Sequence, residues 1–385
     1  MTSTLTHSPT GADTRPVVAV LFGGRSSEHA VSCVSAANVL AAIDAEAYRV
    51  IPIGITRQGT WRIVEDWQRF AFDPEAMPEV TDDGTSVIPS ISEHREPLLH
   101  RAADGTLSEL DVVDVYFPVL HGRFGEDGTI QGIFELSNTP FVGAGVLASA
   151  VSMDKHFMKA VMANSGIPAC PFVLITEVKY EHAPEVMTER VEQLGFPAFV
   201  KPCRAGSSIG VSKINSIDEL DTALREAFQY DKKVIVEPLV DGREIECSVL
   251  GSVYDRRART SVPSEIVVGG DHEFYDFEAK YFDLDAVELI CPADVDAETT
   301  ARIQELAART FKAFECTGLA RVDTFVTADG EVLVNELNTM PGFTPSSAYP
   351  QMWAASGIEY GELISELISI AMRDHARQAA HQPTG

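Results

Sequence analysis

The segment LARVDTFVTADGEVLVNELNTMPG, residues 319–342, holds the residues whose types and spacing imply chemistry most directly. Two alternating strand patterns flank Asp329-Gly330, a favoured two-residue hairpin turn. With those two residues as the loop, Asp323 pairs with Glu336 and Arg321 with Asn338. Strands step by two, so both pairs share one face. Carboxylates directly opposite one another repel, and a bound cation relieves the repulsion. Asp323, Glu336 and Asn338 form an all-oxygen ligand set, which suits Mg²⁺ and does not suit zinc. Arg321 beside them is a natural stabiliser of developing negative charge. An isolated acidic pair is also what a solvated hairpin face shows; the register and the adjoining NTMPG turn favour the metal.

Mg²⁺ held by few protein ligands completes its shell with a phosphate-bearing substrate. Donors for phosphate should then be present. Lys201 ends the strand pattern FPAFVKP, and the loop CRAGSSIG offers backbone N–H groups that can cover an anion. Lys155 lies in a helical pattern, SAVSMDKHFMKAVMANSG, where a lone lysine is ordinarily a solvated charge. Neither lysine fits the GxxxxGK[ST] spacing of a P-loop. GGRSSEH lacks the GxGxxG of a dinucleotide fold, which disfavours a hydride-transfer enzyme. Gly23 and Gly24 let the chain turn from strand to helix and leave Glu28 near the helix N-terminus, where a carboxylate is also a plain cap. His121 follows a strand end, a common ligand position in open α/β sheets, and equally a place for a packed histidine.

These residues need elements to hold them. VVAVLFGG and YRVIPIGIT with the helix between them, then DVVDVYFPVL and TPFVGAG, predict an N-terminal open parallel α/β domain over 17–145, with a charged, Pro-rich insert near 65–111. A second unit spans 146–240 and a third 241–378, the third carrying the hairpin, a long helix from Ala297 to Cys316 and a C-terminal amphipathic helix. Residues 1–16 are polar and read as a disordered lead-in. The chain has 385 residues, enough for two or three cores. Its 57 acidic against 30 basic residues give a net charge of −27, which repels nucleic acid and anionic membranes. No apolar run approaches the roughly 18 residues of a membrane span. Six scattered cysteines without a CxxC pair fit reduced thiols in a cytoplasm.

In order along the chain, LFGGRSSEHAVS, PVLHGRFGEDGTIQG, VGAGVLASAVSMDK, VKPCRAGSSIGVSK, FYDFEAKY, ARVDTF and NELNTMPGFTPSS closely resemble the D-alanine–D-alanine ligases, members of the ATP-grasp superfamily. The resemblance runs from about Val17 to about Ile370 and leaves out the insert and both termini. It implies a three-unit ATP-grasp architecture, α/β throughout, in which two α+β units enclose ATP. The implied activity is ATP-dependent joining of two D-alanines through a D-alanyl phosphate, for peptidoglycan precursors, by a cytoplasmic homodimer. The implied cofactor is Mg²⁺, as two ions on Asp323, Glu336 and Asn338, with Mn²⁺ able to substitute.

The resemblance also implies roles. Lys155 and Lys201 look like the family's nucleotide-phosphate lysines, and Glu237 and Glu244 like its nucleotide-binding acids. Glu28 corresponds to the carboxylate that holds the first substrate's ammonium, and His121 to a nearby substrate-site histidine. Arg321 and the Gly342 N–H would face the oxyanion, and Ser347 the second substrate's carboxylate. FYDFEAKY matches a lid that closes over the reaction, with Lys280 reaching the transferring phosphate. Tyr281 resembles the tyrosine that bonds Ser207 and, through it, Glu28; its hydroxyl argues for an amine as second nucleophile. His29 and Ala30, Pro238 and Phe277 stand where some relatives carry other residues. Rival expectations are an ATP-grasp ligase for another carboxylate and amine, and a nucleotide-binding regulator without turnover.

Overall fold

The structure is a computed structural model that describes residues 13–73, 76–206, 208–269 and 287–381. Every residue of the strand Val17–Gly23 is buried, as an unbroken apolar run requires when both faces of a parallel sheet are covered. It pairs in parallel with Arg49–Ile55 on one side and Val115–Pro118 on the other, and Trp61–Ile63 adds an antiparallel edge. Gly23 and Gly24 both take positive φ, 85° and 89°. A Cβ on Gly23 would meet the Ile55 carbonyl oxygen at 2.5 Å, so this turn into the helix His29–Ala42 admits only glycine. The predicted strand TPFVGAG reduces to a single bridge between Tyr116 and Phe141. The insert folds into a small antiparallel sheet of Ser86–Ile88, Leu99–Arg101 and Leu107–Glu109.

Alternation divides the first sheet's side chains between two cores. Val18, Val20 and Phe22 point to the face covered by His29–Ala42 and by the C-terminal helix Tyr360–His381, through Leu363, Leu367 and Ile368. Ala19 and Leu21 point to the other face, which packs Tyr116, Ile130 and Phe134. The last helix thus closes the first sheet. At the N-terminal end, Asp13 and Arg15 already pair with each other, so ordered contacts start before Val17; residues 1–12 of the predicted lead-in lie outside the described ones.

Two antiparallel sheets complete the fold. One orders Ser212–Ile214, Ala198–Pro202, Lys233–Pro238 and Val173–Thr176, and packs the helices Pro184–Glu192 and Leu220–Ala227 through Met187, Val191 and Leu224. The other orders Val287–Ile290, Ser264–Val268, Gly242–Gly251, Gly318–Thr327 and Val332–Asn338, with Arg259–Thr260 paired to Gly242–Gly251. The helix Ala297–Ala313 covers it with Ile303, Leu306 and Phe311. One predicted helix is in fact two. Val146–Met153 ends and Lys155–Asn164 begins at Asp154, which is extended and accepts hydrogen bonds from the His156 and Phe157 N–H groups. A side-chain oxygen that caps a new helix competes with continuation of the old one.

Among the described residues, no helix is long and apolar enough to cross a membrane.

Candidate active site

A cleft of about 1370 Å³ opens between the sheets. All the described candidates line it except Asp323, which is 2% exposed and lies beneath the wall. Ser207, Lys280 and Tyr281, and with them the predicted lid, lie outside the described residues.

The hairpin places its residues in the expected register at the site: Arg321 opposite Asn338, Asp323 opposite Glu336. The expected turn, however, is wrong. The Thr327 N–H donates to the Glu331 carbonyl, and Ala328, Asp329 and Gly330 form a three-residue loop with Gly330 at φ 84°. That loop shifts the register by one, so Val334 faces Thr324. An extra residue, Asn335, bulges out of the second strand and restores the pairing before Glu336.

On this face Arg321 lies against Asp323, with Nε 2.7 Å from Oδ1 and Nη2 2.8 Å from Oδ2. Its Nε also lies 3.1 Å from Oε1 of Glu246, a buried carboxylate on the neighbouring strand and the register partner of Asp323. Asn338 donates its amide nitrogen to Asp323 Oδ2 at 2.8 Å, which turns its oxygen away from that carboxylate. By type, two carboxylates and one amide oxygen on adjacent register positions suit a hard divalent cation that takes its remaining ligands from phosphate, and a cation on Asp323 would displace its Arg321 contacts. Among the described residues no group of three His, Cys, Asp or Glu offers a competing site.

A second wall carries the lysines. The break at Asp154 explains Lys155: it opens the new helix instead of sitting within a long one, and its Nζ donates to the Ala205 carbonyl of the glycine-rich loop at 3.0 Å. Lys201 Nζ donates to Glu237 Oε2 at 2.7 Å. Burial alone would raise the Glu237 carboxyl, but the ammonium groups of Lys201 and Lys159 outweigh it and hold it at about 2. Glu244 sits on the strand Gly242–Gly251 at the cleft edge.

The third wall belongs to the loop after Val115–Pro118. Glu28 occupies the N-cap position of its helix but makes no capping hydrogen bond. Its Oε2 instead lies 2.4 Å from where a Cβ on Gly122 would sit and 3.6 Å from one on Gly206, between this loop and the glycine-rich loop. His121 is buried, and its Nδ1 donates to the Met340 carbonyl at 3.1 Å; a carbonyl can only accept, so Nδ1 carries the proton. Burial lowers its pKa, so the ring is neutral. Glu126 reaches the same segment from the other side, accepting the N–H of Gly122 at 2.5 Å and of Met340 at 3.3 Å. His121 and Glu126 thereby clamp the turn that carries Gly342. Ser347, next along, accepts the Thr344 N–H at 3.2 Å, and a Cβ on Gly342 would meet its Oγ at 3.0 Å.

Burial and the neighbouring Glu28 charge push the Glu126 carboxyl up to about 8. The folded protein then keeps a proton that the unfolded chain loses above about pH 4.5. Stability conferred by that proton is complete below this value and is lost as pH rises through the folded pKa, by at most about 1.4 kcal/mol per pH unit. Urea midpoints measured from pH 5 to 9 should fall accordingly, and Glu126→Gln should flatten the decline. An unchanged slope in the variant would remove Glu126 as its source.

Sequence reasoning missed Glu126, Glu246 and Lys159. Glu126 lies within the GEDG of a family motif that gives it no separate signal, and nothing local distinguishes Glu246 or Lys159 from ordinary charges.

The family model described as D-ala D-ala ligase N-terminus matches residues 17–144, and that of the D-ala D-ala ligase C-terminus matches residues 161–369. The chain belongs to the D-alanine–D-alanine ligase family. A D-alanine–D-alanine ligase of Pseudarthrobacter chlorophenolicus is 52% identical over 370 residues, covering 96% of this chain and 97% of the relative. That of Arthrobacter sp. (strain FB24) is 53% identical over 360 residues, covering 93% and 94%. Among solved structures, the D-alanine–D-alanine ligase from Coxiella burnetii superposes with a TM-score of 0.80 at 32% identity, covering 96% of this chain and 97% of that one. The VanG D-Ala:D-Ser ligase from Enterococcus faecalis also reaches 0.80, at 36% identity, covering 93% and 100%. The mixed α/β sheets are those of the family's ATP-grasp architecture.

Proposed function

We propose that this ligase joins two D-alanines into D-alanyl-D-alanine with ATP, in two steps within the one cleft. In the first, a carboxylate oxygen of one D-alanine attacks the γ-phosphorus of ATP and ADP leaves. In the second, the amine of another D-alanine attacks the acyl carbon, and phosphate and a proton leave. The observation that carries this reading is the convergence on one cleft of three groups: Glu336 and Asn338 of the hairpin with Asp323 beneath them, the Lys155 and Lys201 wall, and Glu28 beside Gly122.

Lys155 and Lys201 bind phosphate oxygens, Glu237 and Glu244 hold the nucleoside, and Glu28 pairs with the first D-alanine's ammonium. Arg321 and the Gly342 N–H face the tetrahedral oxyanion, the latter on the turn that His121 and Glu126 clamp at Met340. Ser347 receives the second carboxylate. Mg²⁺, or Mn²⁺ in its place, on Asp323, Glu336 and Asn338 would neutralise the charge on the phosphates. For Lys280, Tyr281 and Ser207, which lie outside the described residues, the support for lid and relay roles is the family resemblance of their motifs. The three units are 17–145, 146–240 and 241–378. The ligase works in the cytoplasm as a homodimer, a state sedimentation checks. Its charge of −27 keeps it off nucleic acid and anionic membranes.

The test supplies ATP and Mg²⁺ with D-alanine alone, L-alanine alone, or D-alanine plus D-serine or D-lactate, and identifies products by mass. D-Alanine alone should drive phosphate release and give the homodipeptide, which should dominate in both mixtures. Turnover only when D-serine or D-lactate is added would overturn the second-substrate assignment and keep the ligase.

A further inference from the structure

Behind the nucleotide wall lies a lysine with no place in the reaction as so far described. Lys159 is on the helix Lys155–Asn164, one turn beyond Lys155 and on the same face. Its side chain is 2% exposed, and its Nζ lies 2.5 Å from Oε1 of Glu237, itself 4% exposed. The other oxygen of Glu237 meets Lys201 at 2.7 Å. Lys201 and Glu237 line the cleft, whereas Lys159 does not. Met158 and Met162 beside it belong to the apolar core.

One carboxylate between two ammonium groups leaves a single positive charge in surplus, and only Lys201 carries it to the cleft. Without Lys159, Glu237 and Lys201 would form a closed neutral pair, and Lys201 would be drawn back from an incoming phosphate. We propose that Lys159 is a positioning residue of the nucleotide site: from inside the protein it anchors Glu237 and so frees Lys201 to meet the anionic phosphates. This rests on the assignment of Lys201 and Glu237 to nucleotide. A buried ion pair is itself weak evidence of stabilisation, since apolar replacements often serve as well, so a purely structural role is the alternative to separate.

The experiment measures ADP affinity by calorimetry with Mg²⁺ present, and KM for ATP and for D-alanine, in the wild type, Lys159→Met, Glu237→Gln and the double variant. Lys159→Met should weaken ADP binding about tenfold or more while D-alanine KM stays within about twofold. Because Lys159 acts through Glu237, adding Lys159→Met to Glu237→Gln should change ADP affinity less than about threefold. That comparison stands even if Lys159→Met alone does not fold, because the double variant removes both buried charges. Unchanged ADP affinity in Lys159→Met, an equal loss for both substrates, or a second tenfold loss on the Glu237→Gln background would overturn the proposal. A wild type that turns over but binds no ADP would overturn the nucleotide assignment, and the proposal with it.

Discussion

Arg321→Met lowers kcat by about 10²–10³ and leaves the Mg²⁺ concentration for half-maximal rate no higher than in the wild type. The first half follows from the guanidinium's place at the cleft, where a donor aimed at an oxyanion acts only in the transition state. The second half follows from where the Arg321 guanidinium lies. It covers both oxygens of Asp323, the carboxylate that the cation needs. Removing the arginine removes that competitor. The arginine also lies within 3.1 Å of Glu246, so its loss strips a shared cation from two buried carboxylates and should cost about 3–5 kcal/mol of stability. Steady-state kinetics across a Mg²⁺ series, with a urea melt alongside, checks all three. A rise in the Mg²⁺ requirement equal to the fall in kcat would show that Arg321 serves the metal and not the oxyanion.

Glu336→Gln, in contrast, should raise the Mg²⁺ requirement by about a hundredfold or more. Glu336 lines the cleft opposite Asp323, and its replacement leaves the Arg321 contacts to Asp323 and Glu246 in place. Chelation of the wild type should stop turnover, and added Mg²⁺ or Mn²⁺ should restore it. Mn²⁺ titration followed by electron spin resonance gives the affinity without reference to turnover. Wild-type Mn²⁺ affinity in the variant would remove Glu336 from the ligand set.

The hairpin shows what a sequence can and cannot tell. Alternation and the Asp-Gly pair made the pairing of Asp323 with Glu336 legible, yet the turn is one residue longer and a bulge at Asn335 compensates. Two local errors cancelled at the site because the alternation on each strand constrains which residues share a face. Apart from the family resemblance, Lys155 was legible only as a helical charge, since the break at Asp154 depends on a side-chain cap that competes with helix continuation. The buried contacts were illegible for a different reason. Lys159 reaches Glu237 across 78 residues of sequence and Glu126 reaches Met340 across 214, and no periodicity encodes partners so far apart. Family motifs carried Glu28, Lys201 and Gly342, whose neighbours in the sequence are distinctive, but not residues whose importance lies in what packs behind them.

The closing of the first sheet by the last helix bears on how the chain is made. Val18, Val20 and Phe22 leave the ribosome more than 300 residues before Leu363, Leu367 and Ile368, which help to cover them. At about 5–20 residues per second, that is roughly 15–70 s during which the part of that face not covered by His29–Ala42 stays open. Synthesis and folding are therefore out of step, and holding chaperones have their longest opportunity at the N-terminal end of this ligase.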